Sequence, residues 1–201
     1  MLGSNVLHMH WKCYRENNMN RTNWKIAEQS KQEMIKALLL VMEQYDYKEI
    51  TVTQITQEAQ LSRKTFYRLF SDKDDVLRLF CEKLFHECFA QIKLQKIQNY
   101  WDVVQVYFDF WEARKDLLSL LQKNNLLSHV FEYSYRYSTE IFEFVRSKEV
   151  ATSFSLPLPY MLAYSVGGMH SMLLKWAEKG MDVPSSELIS KLKSGFMSNN
   201  I

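Results

Sequence analysis

The sequence predicts an all-α protein, and two observations lead to this interpretation. From Trp24 onward, apolar residues recur at helical spacing in one segment after another. No two segments show the alternation and the tight connecting turn of a β-hairpin. The second half is divided into further helices by residues that interrupt helices: Asn124, Asn125, Pro157, Pro159, Gly180 and Pro184.

Composition limits the size, charge and compartment of the protein. A chain of 201 residues with 47% hydrophobic content can bury the core of one large or two small domains. Its net charge is only +2, so contact with nucleic acid requires a local basic patch. Cys81 and Cys88 are separated by about 10.5 Å along a predicted helix, too far for a disulfide. The sequence therefore predicts a reduced, cytoplasmic protein, without a secretory signal or a run long enough to span a membrane.

Residue patterns typical of enzymes and metal sites are not found. The five histidines are scattered, and no serine or cysteine nucleophile motif is present. Gly167 and Gly168 lie in a helical pattern and do not follow a strand, which argues against a nucleotide loop. His86 lies between two cysteines without metal-ligand spacing. We expect no catalytic function, no cofactor and no metal.

Residues 1–22 differ from the rest of the chain in having little helical periodicity. This composition predicts a disordered extension. An alternative is an arm that reaches DNA through Lys12, Arg15 and Arg21. The sequence leaves both open.

Capping residues predict three helices after this extension. The first, which contains Ile35 and Met42, is expected to end at Asp46 because Asp adopts the left-handed conformation more readily than most residues. Thr51 is the first residue of a capping box that opens a second helix. A turn at Gln60 and Leu61 follows, and Ser62 caps a third helix. The apolar side of the first helix also includes Leu38, Leu39 and Tyr45.

The third helix has an apolar back and a basic front. Phe66, Leu69 and Phe70 share the apolar side. Between Ser62 and Lys73 four basic residues are opposed by Asp72 alone, a local charge of +3. Such a helix can pack on a core and enter a DNA major groove. The front carries Arg63, Lys64, Thr65, Tyr67 and Arg68.

A fourth helix, capped by Ser71 or Asp72, is expected to run towards Lys96. We place the domain boundary within it, giving a DNA-binding domain at 23–75 and a helical dimerisation and effector domain at 76–201. A shared helix can transmit movement between domains. The helices expected afterwards are Trp101–Ala113, Lys115–Gln122, Leu126–Arg146, Tyr160–Lys179 and Ser186–Met197.

The region from Ile35 to Leu77 resembles the N-terminal domain of TetR-type transcriptional regulators. The resemblance implies an all-helical dimer that binds double-stranded operator DNA, with a larger C-terminal domain that dimerises and often binds an effector. Asp46 and Gln60 stand where that family usually has Gly, so both are expected to need a left-handed or tight backbone. The matching residues are Thr51, Val52, Ile55, Ala59, Leu61, Ser62, Thr65, Phe66, Tyr67, Phe70 and Lys73.

A second pattern resembles the C-terminal region of regulators related to the dihydroxyacetone-kinase activator. That group includes proteins that act beside a partner regulator without sensing a ligand. The alternative to a ligand-controlled regulator is therefore a non-sensing co-regulator of the same fold. The pattern consists of Tyr164, Gly167, Gly168, Trp176, Gly180 and Pro184.

Helix geometry and this resemblance together assign a DNA face. Arg63 and Lys64, in the first turn of the third helix, can reach base edges or phosphates. Arg68 either contacts a phosphate or pairs with Asp72, and Lys73 is expected to contact a phosphate. The resemblance implies that Thr65 and Tyr67 bind the DNA backbone or a thymine methyl. The complete predicted face is Thr51, Thr53, Ser62, Arg63, Lys64, Thr65, Tyr67, Arg68 and Lys73.

Two further sites are predicted in the second domain. Most of its aromatic residues are explained by core and dimer packing, but an apolar pocket for a small hydrophobic or metabolite effector is also predicted. Apolar stripes on the last two helices predict a two-fold homodimer with recognition helices about 34 Å apart. The pocket residues are Trp111, His129, Tyr135 and Tyr164, and the interface residues are Val166, Gly168, Met169, Leu173, Leu188 and Leu192.

Overall fold

The computed structural model describes residues 4–146 and 157–198, and side chains within 24–146 and 157–195. Ten α helices and one short 3-10 helix form this part of the chain, and no strand occurs in it. The expected all-α class is confirmed. The chain divides into two compact units, with the boundary between Leu77 and Arg78 inside α4.

The first unit is a small helical domain built on one long helix. Met34, Leu38, Ile55 and Phe66 are completely buried in its core. The long helix begins at Ser4, so it covers most of the segment predicted to be disordered, and no Gly or Pro interrupts the sequence between its ends. The elements are α1 (Ser4–Gln44), the 3-10 helix (Tyr47–Glu49), α2 (Val52–Glu58), α3 (Arg63–Leu69) and the start of α4 (Lys73–Leu94).

The end of α1 differs from the prediction. The helix ends at Gln44, and Asp46 has an extended backbone with φ of −64°. Asp46 therefore needs no left-handed conformation, because it precedes the 3-10 helix instead of terminating α1. Tyr45, predicted on the apolar side, is largely exposed.

The second unit contains the remaining helices, of which α9 packs on α6, α7 and α8, and α10 packs on α5. The single helix predicted over Leu126–Arg146 is wrong, since the chain forms two helices there. Tyr137 lies between them, with its ring stacked on Phe85 at 4.6 Å. The elements are α5 (Tyr100–Glu112), α6 (Lys115–Lys123), α7 (Leu127–Arg136), α8 (Ser138–Arg146), α9 (Leu158–Glu178) and α10 (Ser185–Ser198).

Specific hydrogen bonds fix the last two helices. The indole of Trp176 donates to the carbonyl oxygen of Val183 at 2.9 Å, which ties the end of α9 to the link that follows. The buried Ser185 hydroxyl lies 2.6 Å from Asp109 and 2.7 Å from Glu112, both on α5. These bonds anchor the start of α10 on α5.

No helix within the described ranges is long and apolar enough to cross a membrane.

Candidate DNA-binding face and internal cavity

The start of α2 is held by a reciprocal cap, as predicted. The N–H of Gln54 donates to Oγ1 of Thr51 at 3.3 Å, and the N–H of Thr51 donates to Oε1 of Gln54 at 2.8 Å. Both donors would otherwise lack a helical partner. The Thr51 hydroxyl also donates to Oε1 of Gln54, so its predicted contact with DNA would compete with the cap.

A tight turn with a left-handed residue separates α2 from α3. Gln60 has φ of 53°, so the expectation for this position is confirmed. The N–H of Leu61 donates to the carbonyl of Thr56 at 2.9 Å, and that of Gln60 donates to the carbonyl of Gln57 at 3.1 Å. This pair of bonds forms a Schellman motif, which commonly places Gly at the left-handed position.

The second helix of the pair starts at a serine cap. The N–H of Thr65 donates to the Ser62 hydroxyl at 3.0 Å, and the two hydroxyl oxygens are also 3.0 Å apart. Both hydroxyls are thus engaged in building the first turn of α3. Phe66, the next residue, is fully buried and packs on Phe70 at 5.6 Å between ring centroids. The cap and these rings fix the rotation of α3.

That rotation directs a basic surface to solvent. Arg63, Lys64 and Arg68 are exposed, and within the described ranges none has an ion-pair partner. Arg68 therefore does not pair with Asp72, whose carboxylate instead accepts from the N–H of Asp75 at 2.9 Å. The Arg63 guanidinium lies 5.9 Å from the centre of the exposed Tyr67 ring. Thr53, on α2, is also exposed.

Lys73 has a different role from the predicted one. Its ammonium group donates to the carbonyl oxygens of Tyr47 at 2.6 Å, Ile50 at 2.9 Å and Lys48 at 3.0 Å. An ammonium group has three donors, so all are used within the domain. The side chain also lies 4.8 Å from the centre of the Tyr47 ring. Lys73 caps the carbonyl end of the 3-10 helix and is not available to donate to a phosphate in this arrangement.

The second unit contains an apolar cavity of about 120 Å³. Residues of α4, α5, α7, α8 and α9 line it, and their side chains are mostly aromatic, aliphatic or sulfur-containing. Cys81 and Cys88 are among them, and burial raises the pKa of each thiol to about 12. The aromatic side of the lining comprises Phe85, Tyr100, Tyr107, Phe110, Trp111 and Phe142.

The hydroxyls of the cavity tyrosines lie close to polar side chains. Trp111 and Ser134 are near that of Tyr107, and Ser165 is near that of Tyr100. The Ser134 hydroxyl donates to the carbonyl of Val130 at 3.0 Å, which leaves its oxygen to accept from Tyr107. Burial raises the pKa of both tyrosines, so their hydroxyls stay protonated.

Only one of the four predicted pocket residues lines this cavity. Trp111 does, whereas His129, Tyr135 and Tyr164 are exposed. The prediction of the other three was wrong because successive side chains on a helix point about 100° apart, so the neighbour of a cavity residue faces elsewhere. On α7, Val130 and Ser134 occupy the inner positions that their neighbours His129 and Tyr135 were predicted to fill.

His170 is the cavity residue that sequence reasoning missed most clearly. It lies on α9 among lining residues with helical spacing, such as Val166 and Met169, a signal that could have identified it. Its ring packs against Phe131 with 4.6 Å between centroids. Burial lowers the pKa of His170, so its imidazole is neutral at ordinary pH.

The predicted dimer residues divide into three groups by burial. Val166 and Leu173 are 6% and 0% exposed within the single chain, so they are core residues and cannot form an interface. Gly168 is exposed, and among the described residues no atom outside its own stretch of helix lies within 4 Å of the place that a Cβ atom would take there. Leu188 and Leu192 are half-buried, as is Met169, which lines the cavity.

Comparison with known proteins agrees with the helix-turn-helix geometry. Residues 34–79 match the family described as bacterial regulatory proteins, tetR family. The matched segment includes α2, α3 and their connecting turn. A search of curated proteins finds no match.

Proposed function

We propose that the chain is a DNA-binding transcriptional regulator of the tetR family, which binds a palindromic operator as a homodimer under the control of a small molecule. The observation that carries this proposal is the exposed basic side of α3. Its three cations have no ion-pair partner in the described part of the chain, while Phe66 and Phe70 hold the other side of the helix in the core.

Base recognition is assigned to the first turn of α3. Arg63 and Lys64 project from the N-terminal turn, the part of a recognition helix that usually meets base edges. Arg68 and Tyr67 lie further along the exposed side and serve as contacts to the DNA backbone. Ser62 and Thr65 mainly position the helix, because the N–H of Thr65 donates to the Ser62 hydroxyl and the two hydroxyls are hydrogen-bonded to each other.

The homodimer is assigned to the exposed side of α9 together with α10. Tyr160, Tyr164 and Gly168 lie on this side and are four residues apart, so they form one stripe. Gly168 makes no close approach to the described part of the chain, although glycine costs helix propensity of about 1 kcal/mol relative to Ala. A close approach by the partner's helix would explain its presence. Leu188 and Leu192 extend the surface on α10.

Control by a small molecule is favoured over a non-sensing co-regulator because of the cavity. A co-regulator that senses nothing would have no need of an apolar cavity of about 120 Å³ lined by five helices. An effector bound there must have different affinities for the free and the DNA-bound protein, and DNA must then change effector affinity by the same factor.

The proposal is tested with DNA that flanks the coding region. Wild-type protein should protect a palindromic sequence there. Arg63→Ala or Lys64→Ala should weaken binding by about 1–3 kcal/mol if the residue contacts a base, and should alter the base preference. Lys115→Ala removes the same charge from an exposed position on α6 and should leave operator affinity unchanged. Equal affinities for all three variants would contradict the assigned DNA face.

A further inference from the structure

One polar atom of the cavity lining has no hydrogen-bond partner. Among the side chains that the structure describes, Nδ1 of His170 is the buried nitrogen or oxygen without one. The buried Ser138 hydroxyl, by contrast, donates to the carbonyl oxygen of Tyr135 at 2.7 Å. Native interiors seldom leave a buried polar atom unpaired, and such atoms often mark a site for a molecule that supplies the missing bond.

The described part of the lining favours a ligand without charge. No Lys, Arg, Asp or Glu is found among the described residues that line the cavity. An ionised ligand would therefore be desolvated without a counter-charge, which strongly disfavours it. A neutral compound meets no such penalty.

The size and surface of the cavity suit a single ring. Its volume of about 120 Å³ is similar to that of an engineered apolar cavity of about 150 Å³ that binds benzene. Phe85, Phe110 and Trp111 provide aromatic contacts, and Met161 and Met169 provide adaptable ones.

The imidazole of His170 determines which hydrogen-bonding group the ligand needs. A neutral imidazole has one donor nitrogen and one acceptor nitrogen, and the tautomer decides which of them is Nδ1. A hydroxyl can both donate and accept, so it matches either tautomer. The ring torsion of histidine is broad and roughly two-fold, so a turn of the ring can bring Nδ1 towards a ligand.

We propose that the cavity binds a neutral aromatic alcohol of the phenol class, whose ring fills the apolar space and whose hydroxyl pairs with Nδ1 of His170. The assignment of this ligand as the effector rests on the function proposed above. The ligand class itself rests on the cavity and on His170, independently of DNA.

Comparing two compounds on the wild type and on His170 variants isolates the predicted hydrogen bond between the ligand and His170. Phenol and toluene have nearly the same shape, and their binding to the full chain is measured by calorimetry and by intrinsic tryptophan fluorescence. His170→Phe should weaken phenol binding about tenfold while changing toluene binding little. His170→Asn keeps a polar atom near the position of Nδ1 and should retain most of the phenol affinity. Benzoate, the anionic relative, should not bind.

The response of the wild-type protein to each compound gives a second test that does not use the binding affinities of the variants. Phenol should shift the imidazole Nδ1 resonance of His170 in nitrogen-15 NMR spectra, with the resonance assigned by its loss in His170→Asn. Toluene should leave it close to its free position. Equal responses to the two compounds, equal losses of both on His170→Phe, binding of benzoate, or no binding of phenol would overturn the proposal.

Operator titrations distinguish this inference from the proposed function. If phenol binds as expected but leaves operator affinity unchanged, the ligand class is correct and the proposed control of DNA binding is wrong. If operator DNA binds normally and phenol does not bind at all, the ligand class is wrong while DNA binding by the regulator stands.

Discussion

The ammonium group of Lys73 connects the 3-10 helix to the start of α4 within the first unit. Lys73→Met removes three hydrogen bonds to backbone carbonyls while keeping much of the side-chain packing. Hydrogen bonds to charged groups contribute about 1.5–3 kcal/mol. We expect urea unfolding to show a loss of about 2 kcal/mol in the free energy of unfolding.

Lys64→Met is the matched control for this change. Lys64 is exposed and has no ion-pair partner among the described side chains, so its replacement should leave stability within about 0.5 kcal/mol. It should instead weaken DNA binding and reduce its salt dependence. A stable Lys73→Met protein with a reduced salt dependence would restore Lys73 to the DNA face and contradict its structural role.

The two cavity cysteines should be unreactive in the folded protein. Both are buried, and a thiol pKa of about 12 leaves almost no thiolate at mildly alkaline pH. In a Cys13→Ser variant, we expect a charged disulfide reagent to label neither Cys81 nor Cys88 until denaturant is added, and then to label both. Rapid labelling of the native variant would show that the cavity opens readily to solvent.

The turn between α2 and α3 stores local strain that a single substitution can relieve. Gln60 is left-handed, a conformation that costs an L-residue about 1–2 kcal/mol and costs glycine little. Gln60→Gly should therefore raise the free energy of unfolding by about 1 kcal/mol after the entropy cost of glycine is included. Thermal and urea unfolding will measure this change.

Gln57→Gly, within α2, should have the opposite effect on stability. Gln57 has a helical backbone, so glycine there should lower stability by about 1 kcal/mol. If both glycine variants are destabilised equally, the left-handed conformation at Gln60 is not a source of strain.

Local signals account for the helix boundaries that the sequence predicts well. The caps at Thr51 and Ser62 depend on hydrogen bonds between residues three apart, so they can be identified from a short stretch of sequence. The break between α7 and α8 has no such signal. Tyr137 there is stacked on Phe85, which is distant in sequence, so tertiary packing accompanies the interruption.

The functional sites also differ in whether local sequence or tertiary packing determines them. The basic side of α3 follows from helical periodicity together with the cap. The cavity depends on how five helices are rotated against one another, and the predicted residues His129, Tyr135 and Tyr164 were selected for their chemistry. A one-residue error in rotation was enough to place them outside.

At the scale of the whole protein, we expect two chains to assemble into a dimer. Gly168→Leu adds a side chain to an exposed position with open space, so the monomer should fold normally while the partner helix is kept away. Sedimentation should show a dimer for the wild type and a monomer for the variant, with greatly weakened operator binding. The comparison variant Leu173→Asp places a charge in the core and should unfold the second unit instead.

A monomeric wild-type protein at micromolar concentration would contradict the two-fold assembly. If the Gly168→Leu protein is dimeric, the interface does not lie on this side of α9.

Recognition of a DNA sequence by α3 is the central claim, and selection from a random pool of double-stranded DNA tests it most directly. The purified full chain is used at a salt concentration that suppresses non-specific binding. We predict that the wild type enriches a palindrome with half-sites about one helical turn apart or somewhat more, and that an Arg63→Ala, Lys64→Ala double variant loses this preference. Enrichment of no sequence by the wild type, or of the same sequence by the double variant, would contradict the account.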